Sequence, residues 1–144
     1  MIKLLVVDDS EIELAIIREA LSHTDIEYKI VSDSQLALQA AIEFNPTIIL
    51  LAINMPHLSG LKLCEQLRQN PSTSQSEVVF MTASENKADV LSSVHLRVAD
   101  YIAKPIGIQQ LLTRVSLLAT AKNIREECDK FRYKVEHTLL KYSH

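Results

Sequence analysis

The sequence predicts an α/β fold, a doubly wound parallel sheet covered by helices on both faces and followed by a long carboxyl-terminal helix. Three observations carry this. Short apolar runs of strand length alternate with segments whose apolar residues recur every three or four positions. Turn and cap residues separate the two kinds of segment. Acidic and polar residues follow directly on the apolar runs, at the carboxyl ends of the strands, where open α/β sheets hold their ligands.

The first strand covers roughly Lys3 to Val7 and ends in Asp8-Asp9. Ser10 with Glu13 three residues on forms a capping-box pattern, and Ile12, Ile16 and Ala20 recur at helical spacing, so a helix begins directly after the acidic pair. Tyr28 to Val31 reads as the second strand. Leu36, Ala37, Ala40, Ala41 and Phe44 form the inner face of the next helix, which Asn45-Pro46 ends. The third strand runs from Thr47 to Leu51 and is followed by Ala52. After a loop with Met55-Pro56 and Gly60, the residues Leu61, Leu63, Cys64 and Leu67 suggest a third helix, and residues 70–76 form a polar, turn-rich connection. Val78 to Met81 is a fourth strand, with Thr82 after it. A helix is expected from Ser84, carrying Val90, Leu91 and Val94, and a short fifth strand from Asp100 to Ala103, ending in Lys104-Pro105.

Length and composition agree with this reading. A chain of 144 residues holds one domain of ordinary size plus an extension. With 47% hydrophobic and 23% charged residues and a net charge of -3, nothing in it points to nucleic acid. Neither a signal peptide nor a membrane-spanning segment is legible, so a cytoplasmic protein is expected. Cys64 and Cys128 fit no metal or redox spacing. Gly60 and Gly107 are the only glycines, too few for a glycine-rich phosphate cradle.

The chemistry gathers at the strand ends. Two adjacent carboxylates, Asp8 and Asp9, suit a hard divalent cation such as Mg2+. The succession Asp8-Asp9, Asn54-Met55-Pro56, Thr82-Ala83 and Asp100-Tyr101-Ile102-x-Lys104-Pro105, each after a successive apolar run, resembles the receiver domain of two-component response regulators over most of the chain. That resemblance implies a flavodoxin-like (βα)5 sheet of strand order 2-1-3-4-5. It also implies that Asp9 ligates Mg2+ most directly, that Asn54 supplies a backbone carbonyl, and that Asp8 acts mostly through water. Thr82 matches the hydroxyl that bonds a phosphoryl oxygen, Lys104 the lysine that pairs with the acceptor carboxylate, and Tyr101 the aromatic switch. The Lys104-Pro105 bond is cis in the family, and the partner is a histidine kinase.

Ala52 departs from this pattern, because it stands where the family carries the phospho-acceptor aspartate. A methyl group has no lone pair with which to attack phosphorus. Deprived of that carboxylate, Lys104 is expected to lean toward Asp8 or Asp9 and to compete with the cation, so that Mg2+ binds weakly or not at all. A second departure is Arg97-Val98, where the family usually has Gly-Ala, and a turn of different conformation is expected there.

The receiver is expected to occupy residues 1–119, with residues 120–144 continuing as a helical stalk toward a missing output domain. Leu117, Ala121, Ile124, Cys128, Phe131, Val135, Thr138 and Tyr142 fall at alternating spacings of four and three, a coiled-coil seam. A parallel homodimer with Ile124, Cys128, Phe131 and Val135 facing their mates is expected; the alternative is a helix folded back on its own domain. The last residues resemble the linker into GGDEF-type diguanylate cyclases. Three functions stay open: a pseudo-receiver acting through protein contacts and dimerisation on an attached effector, an ordinary phosphorelay receiver carrying an engineered Asp-to-Ala change, and a small enzyme. The third lacks a nucleophile and base in one place.

Overall fold

The computed structural model describes residues 2–83 and 94–142. Five strands, β1 (Lys3–Val7), β2 (Glu27–Val31), β3 (Ile48–Ala52), β4 (Glu77–Ala83) and β5 (Asp100–Lys104), form one sheet in the order β2-β1-β3-β4-β5. Every pairing is parallel. The helices are α1 (Glu11–Ser22), α2 (Ala37–Phe44), α3 (Gly60–Gln69) and α4 (Ile108–Tyr142). No helix among the described residues is long and apolar enough to cross a membrane.

Successive strand residues point to opposite faces, and two cores follow from this. Leu4, Val6, Ile48, Leu50, Ala52, Val79 and Met81 pack with α1 and α4, whereas Leu5, Val7, Ile49, Leu51, Val78 and Phe80 pack with α2 and α3. The inner strands β1, β3 and β4 read as continuous apolar runs because both of their faces are covered, whereas the edge strands β2 and β5 are partly exposed.

Several expectations are corrected. In α1 the sheet-facing residues are Leu14, Ile17, Ala20 and Leu21, while Ile12 is 77% exposed. Of the residues counted from Ile12, Ala20 is buried and Ile16 partly so, and the docking angle turns Leu14, Ile17 and Leu21 inward in place of Ile12. Leu36 is also exposed, because it closes a 3-10 turn, Ser34–Leu36, ahead of α2. Asn45 ends α2 in the left-handed conformation, its N–H donating to the Ala41 carbonyl. The helix expected from Ser84 lies outside the described residues, apart from a 3-10 turn at Val94–Leu96.

The turn before β5 was expected to depart from the glycine-type conformation, and it does not. Arg97 has φ 57°, the left-handed region that glycine favours. The backbone here takes the region open to glycine, and the arginine Cβ bears a strain of roughly 1–2 kcal/mol. Arg68 supplies the opposing hold. Its guanidinium donates to the carbonyls of Leu96 (2.9 Å), Ser74 (2.9 Å), Ser76 (2.7 Å) and Arg97 (3.2 Å), fixing the end of α3 to the segments that enter β4 and β5.

Helix α4 runs unbroken for 35 residues, about 52 Å at ~1.5 Å per residue. Leu111, Val115 and Ala119 bury its first part against the sheet. Lys122 Nζ donates to the Gln75 carbonyl at 3.0 Å and Arg125 pairs with Glu77, so the helix stays tied to the domain as far as Arg125. From 123 to 141 every residue is exposed, so the described helix projects rather than folding back.

Candidate functional site

Asp8 leaves the end of β1 fully buried, its N–H donating to the Val31 carbonyl at 3.3 Å. Its Oδ1 accepts from the Ser10 N–H at 3.1 Å. Its Oδ2 lies 2.9 Å from Lys104 Nζ. This second contact is an ion pair off the line of a directed hydrogen bond: Oδ2 is a buried oxygen with no hydrogen-bond partner among the described residues. Lys104, at the end of β5, is one-quarter exposed and reaches Asp8 from the cis Lys104-Pro105 turn. Asp9 and Asn54 are exposed, on the loops that follow β1 and β3.

Ala52 closes β3 beside Met81 of β4 and is 1% exposed. The loop after it is pinned by the Gly60 N–H donating to the Ile53 carbonyl at 2.7 Å. Gly60 has no room for a side chain, since a Cβ there would stand 2.1 Å from the Ala52 carbonyl oxygen. Thr82, in β4, is buried and donates its hydroxyl to the Ala83 carbonyl at 3.1 Å. Tyr101, in β5, is half-buried, its ring 6.1 Å from that of Phe80.

The strand ends therefore bring Asp8 and Lys104 into contact and set Ala52 and Thr82 at the ends of neighbouring strands. The expected seam residues, Ile124, Cys128, Phe131 and Val135, lie apart on the projecting half of α4.

One participant escaped the sequence reading. Ser10 caps α1 as expected, accepting from the Glu13 N–H at 3.3 Å, but Glu13 does not return the bond. Its carboxylate is buried and accepts from the Ile106 N–H at 3.4 Å, tying α1 to the turn just after Lys104. The Ser-x-x-Glu pattern is the same in both cases; only the seating of the turn after β5 against α1 separates them.

Buried Asp8 Oδ2, with no hydrogen bond, is the kind of atom a cation satisfies. A tightly held Mg2+ nevertheless does not fit the residues present. Lys104 already sits against that oxygen, a methyl stands at position 52, and among the described residues no cluster of three or more His, Cys, Asp or Glu side chains can hold a metal. The thiols stand apart from this chemistry. Burial pushes Cys64 up to about 11, whereas Cys128 is exposed on α4.

Residues 4–116 match the family model described as Response regulator receiver domain. Response regulator ArlR of Staphylococcus saprophyticus is 31% identical over 115 residues, 80% of this chain and 51% of that protein. A Vibrio cholerae protein named "Probable cyclic di-GMP phosphodiesterase" is 31% identical over 112 residues, 78% of this chain and 25% of its own length. The chain thus spans about half, or less, of these curated relatives. Among solved structures, the Mn(2+)-bound form of response regulator Rcp1 is similar, with a TM-score of 0.67 and 29% identity over 80% of this chain and 89% of that one.

Proposed function

Since the chain belongs to the response regulator receiver family, we propose that it is the signal-input module of a response regulator, not phosphorylatable in this form, that controls an attached output domain through protein contacts and dimerisation. The observation that carries this reading is the pocket around Ala52. Asp8 and Lys104 are held in contact while the position between β1 and β4 that needs a carboxylate carries a methyl. With Lys104 bound to Asp8, Mg2+ binds weakly or not at all. The residues keep the receiver's shape without its phosphoryl chemistry.

Output passes along α4. Ala119 is buried and Cys128 lies nine residues on, two and a half turns at ~3.6 residues per turn, so the two point in opposite directions. The stripe of Leu117, Ile124, Cys128, Phe131 and Val135 therefore faces away from the receiver and is open along its length; Phe131 is 70% exposed. Two copies packed in parallel along this stripe leave both receiver bodies on the outside and carry both chains toward their output domains in one direction. Residues 1–119 then form the receiver and 120–144 the stalk. The likeness to a protein named for cyclic di-GMP, together with the resemblance to a GGDEF linker, favours an output domain that makes or breaks cyclic di-GMP. The module is cytoplasmic, is addressed by a histidine kinase or another signalling protein, and needs neither nucleic acid nor membrane.

The test is incubation with acetyl phosphate or beryllofluoride in the presence of Mg2+, read by mass spectrometry and NMR. No adduct and no spectral change are expected. Base-labile phosphate on Asp8 or Asp9 would overturn the reading. A second reading, an ordinary phosphorelay receiver whose aspartate was exchanged for alanine, is favoured by the retained Asp8, Asp9, Thr82 and Lys104. In that case Ala52→Asp restores phosphorylation by a histidine kinase and Mg2+ affinity together.

A further inference from the structure

A cavity of about 220 Å³ opens where α4 leaves the domain, far from the Asp8 pocket, at the amino-terminal end of β4. Arg68, Arg97 and Arg125 line it, and the one carboxylate among its described lining residues, Glu77, is already paired with Arg125. In a chain with a net charge of -3, two guanidinium charges are thus left uncompensated in one small space. The Arg68 guanidinium is held below its ordinary range first by burial, partly countered by Cys64, and further by the like charge of Arg97. Backbone carbonyls take four of its five N–H donors, so Arg68 offers the cavity mainly charge rather than hydrogen bonds. Arg97 is held in a left-handed conformation that strains any side chain. Strain of this kind persists where surrounding structure or function holds it. Glycine would fit that backbone without cost, so a strained arginine beside two others needs a use for its charge.

We propose that this cavity binds a phosphate-bearing anion, held by Arg97 and Arg125 as hydrogen-bond forks over the buried charge of Arg68. Arg125 belongs to α4 and Glu77 to β4, so such a ligand competes with Glu77 for the tie between the projecting helix and the domain. A receiver without a phospho-acceptor needs another input, and an anion at the root of α4 supplies one. That last step rests on the reading of Ala52; the charge imbalance does not.

The test uses the full chain, with inorganic pyrophosphate and AMP as probes in separate titrations followed by calorimetry and by thermal shift at constant ionic strength. Saturable binding with one ligand per chain is expected, with a rise in Tm as the site fills. Arg97→Gly suits the left-handed backbone, so it folds at least as well as the parent yet binds about tenfold or more weakly, as loss of a charge-assisted contact requires. Glu77→Gln removes the competitor and tightens binding; Lys62→Gln, on an exposed face of α3, changes nothing. Tighter AMP binding assigns a nucleotide, and tighter pyrophosphate binding a free polyphosphate. Failure of both probes to saturate, or equal affinity of the parent and Arg97→Gly, overturns the proposal. A phosphodonor adduct would refute the reading of Ala52 and leave these titrations unchanged.

Discussion

Replacing Lys104 by methionine keeps an unbranched apolar stem of similar shape, one atom shorter, and removes its charge. Asp8 is completely buried and Lys104 one-quarter exposed, so most of the compensation for the carboxylate comes from a single contact of 2.9 Å. Breaking a buried pair by removing one partner costs about 3–5 kcal/mol, because the remaining charge is left without either water or a partner. The partial exposure of Lys104 places the expected loss near the lower end, about 3 kcal/mol, which for a domain of this size lowers Tm by roughly 10 °C. Urea denaturation of the parent, Lys104→Met, Asp8→Asn and the double variant gives the coupling energy directly. Asp8→Asn should restore most of what Lys104→Met loses, since an amide needs no counter-charge. Mg2+ should raise the Tm of Lys104→Met and leave that of the parent almost unchanged, because only the variant presents an uncompensated carboxylate. A loss below about 1 kcal/mol, or an equal Mg2+ effect on both proteins, would refute the view of Lys104 as the internal cation of this pocket.

Gly60→Ala should destabilise the fold by about 2–3 kcal/mol, since its Cβ would meet backbone, the Ala52 carbonyl, that cannot turn aside; thermal melts measure it. In the Phe131→Glu variant Cys128 should react with a thiol reagent at pH 8, and Cys64 only on unfolding. Because the folded thiol of Cys64 is raised from 9.0 to about 11, its contribution to stability is complete below pH 9 and is lost as pH rises toward 11, which a pH series of urea melts detects. Sedimentation should show a dimer that Phe131→Glu dissociates, and mild oxidation should crosslink Cys128 in the parent. A chain that is monomeric at high micromolar concentration would reject the seam.

The inner strands were legible because each is an apolar run with both faces covered, as from Ile48 to Leu51, whereas the strand order was implied by the family resemblance. The strand ends were legible in part for the same reason: Asp8 and Thr82 follow such runs, whereas Lys104 ends the short, partly exposed β5. What could not be read depends on how elements lie against each other. Ile12 and Leu14 are equally apolar, and only the docking of α1 on the sheet decides which is buried. Arg68 carries no motif, and its four carbonyl partners come from segments brought together by the fold. Arg97 looked like a change of turn because composition speaks of what a residue prefers, whereas its neighbours fix what it does. Glu13 shows the same limit, its cap partner in sequence being replaced by Ile106 in space.

The last ties between α4 and the domain are at Lys122 and Arg125, and no proline or glycine follows them. The remaining seventeen residues to Tyr142, about 25 Å of helix, act as a lever arm with its fulcrum at Glu77. A rocking of the domain by about 10° swings the tip sideways by about 4 Å, against a helical pitch of about 5.4 Å. Because nothing along the arm absorbs the movement, the direction of its tip is set by the two ties at its root, Lys122 to Gln75 and Arg125 to Glu77. Whatever loosens the Arg125 contact with Glu77 changes where the far end of the helix points.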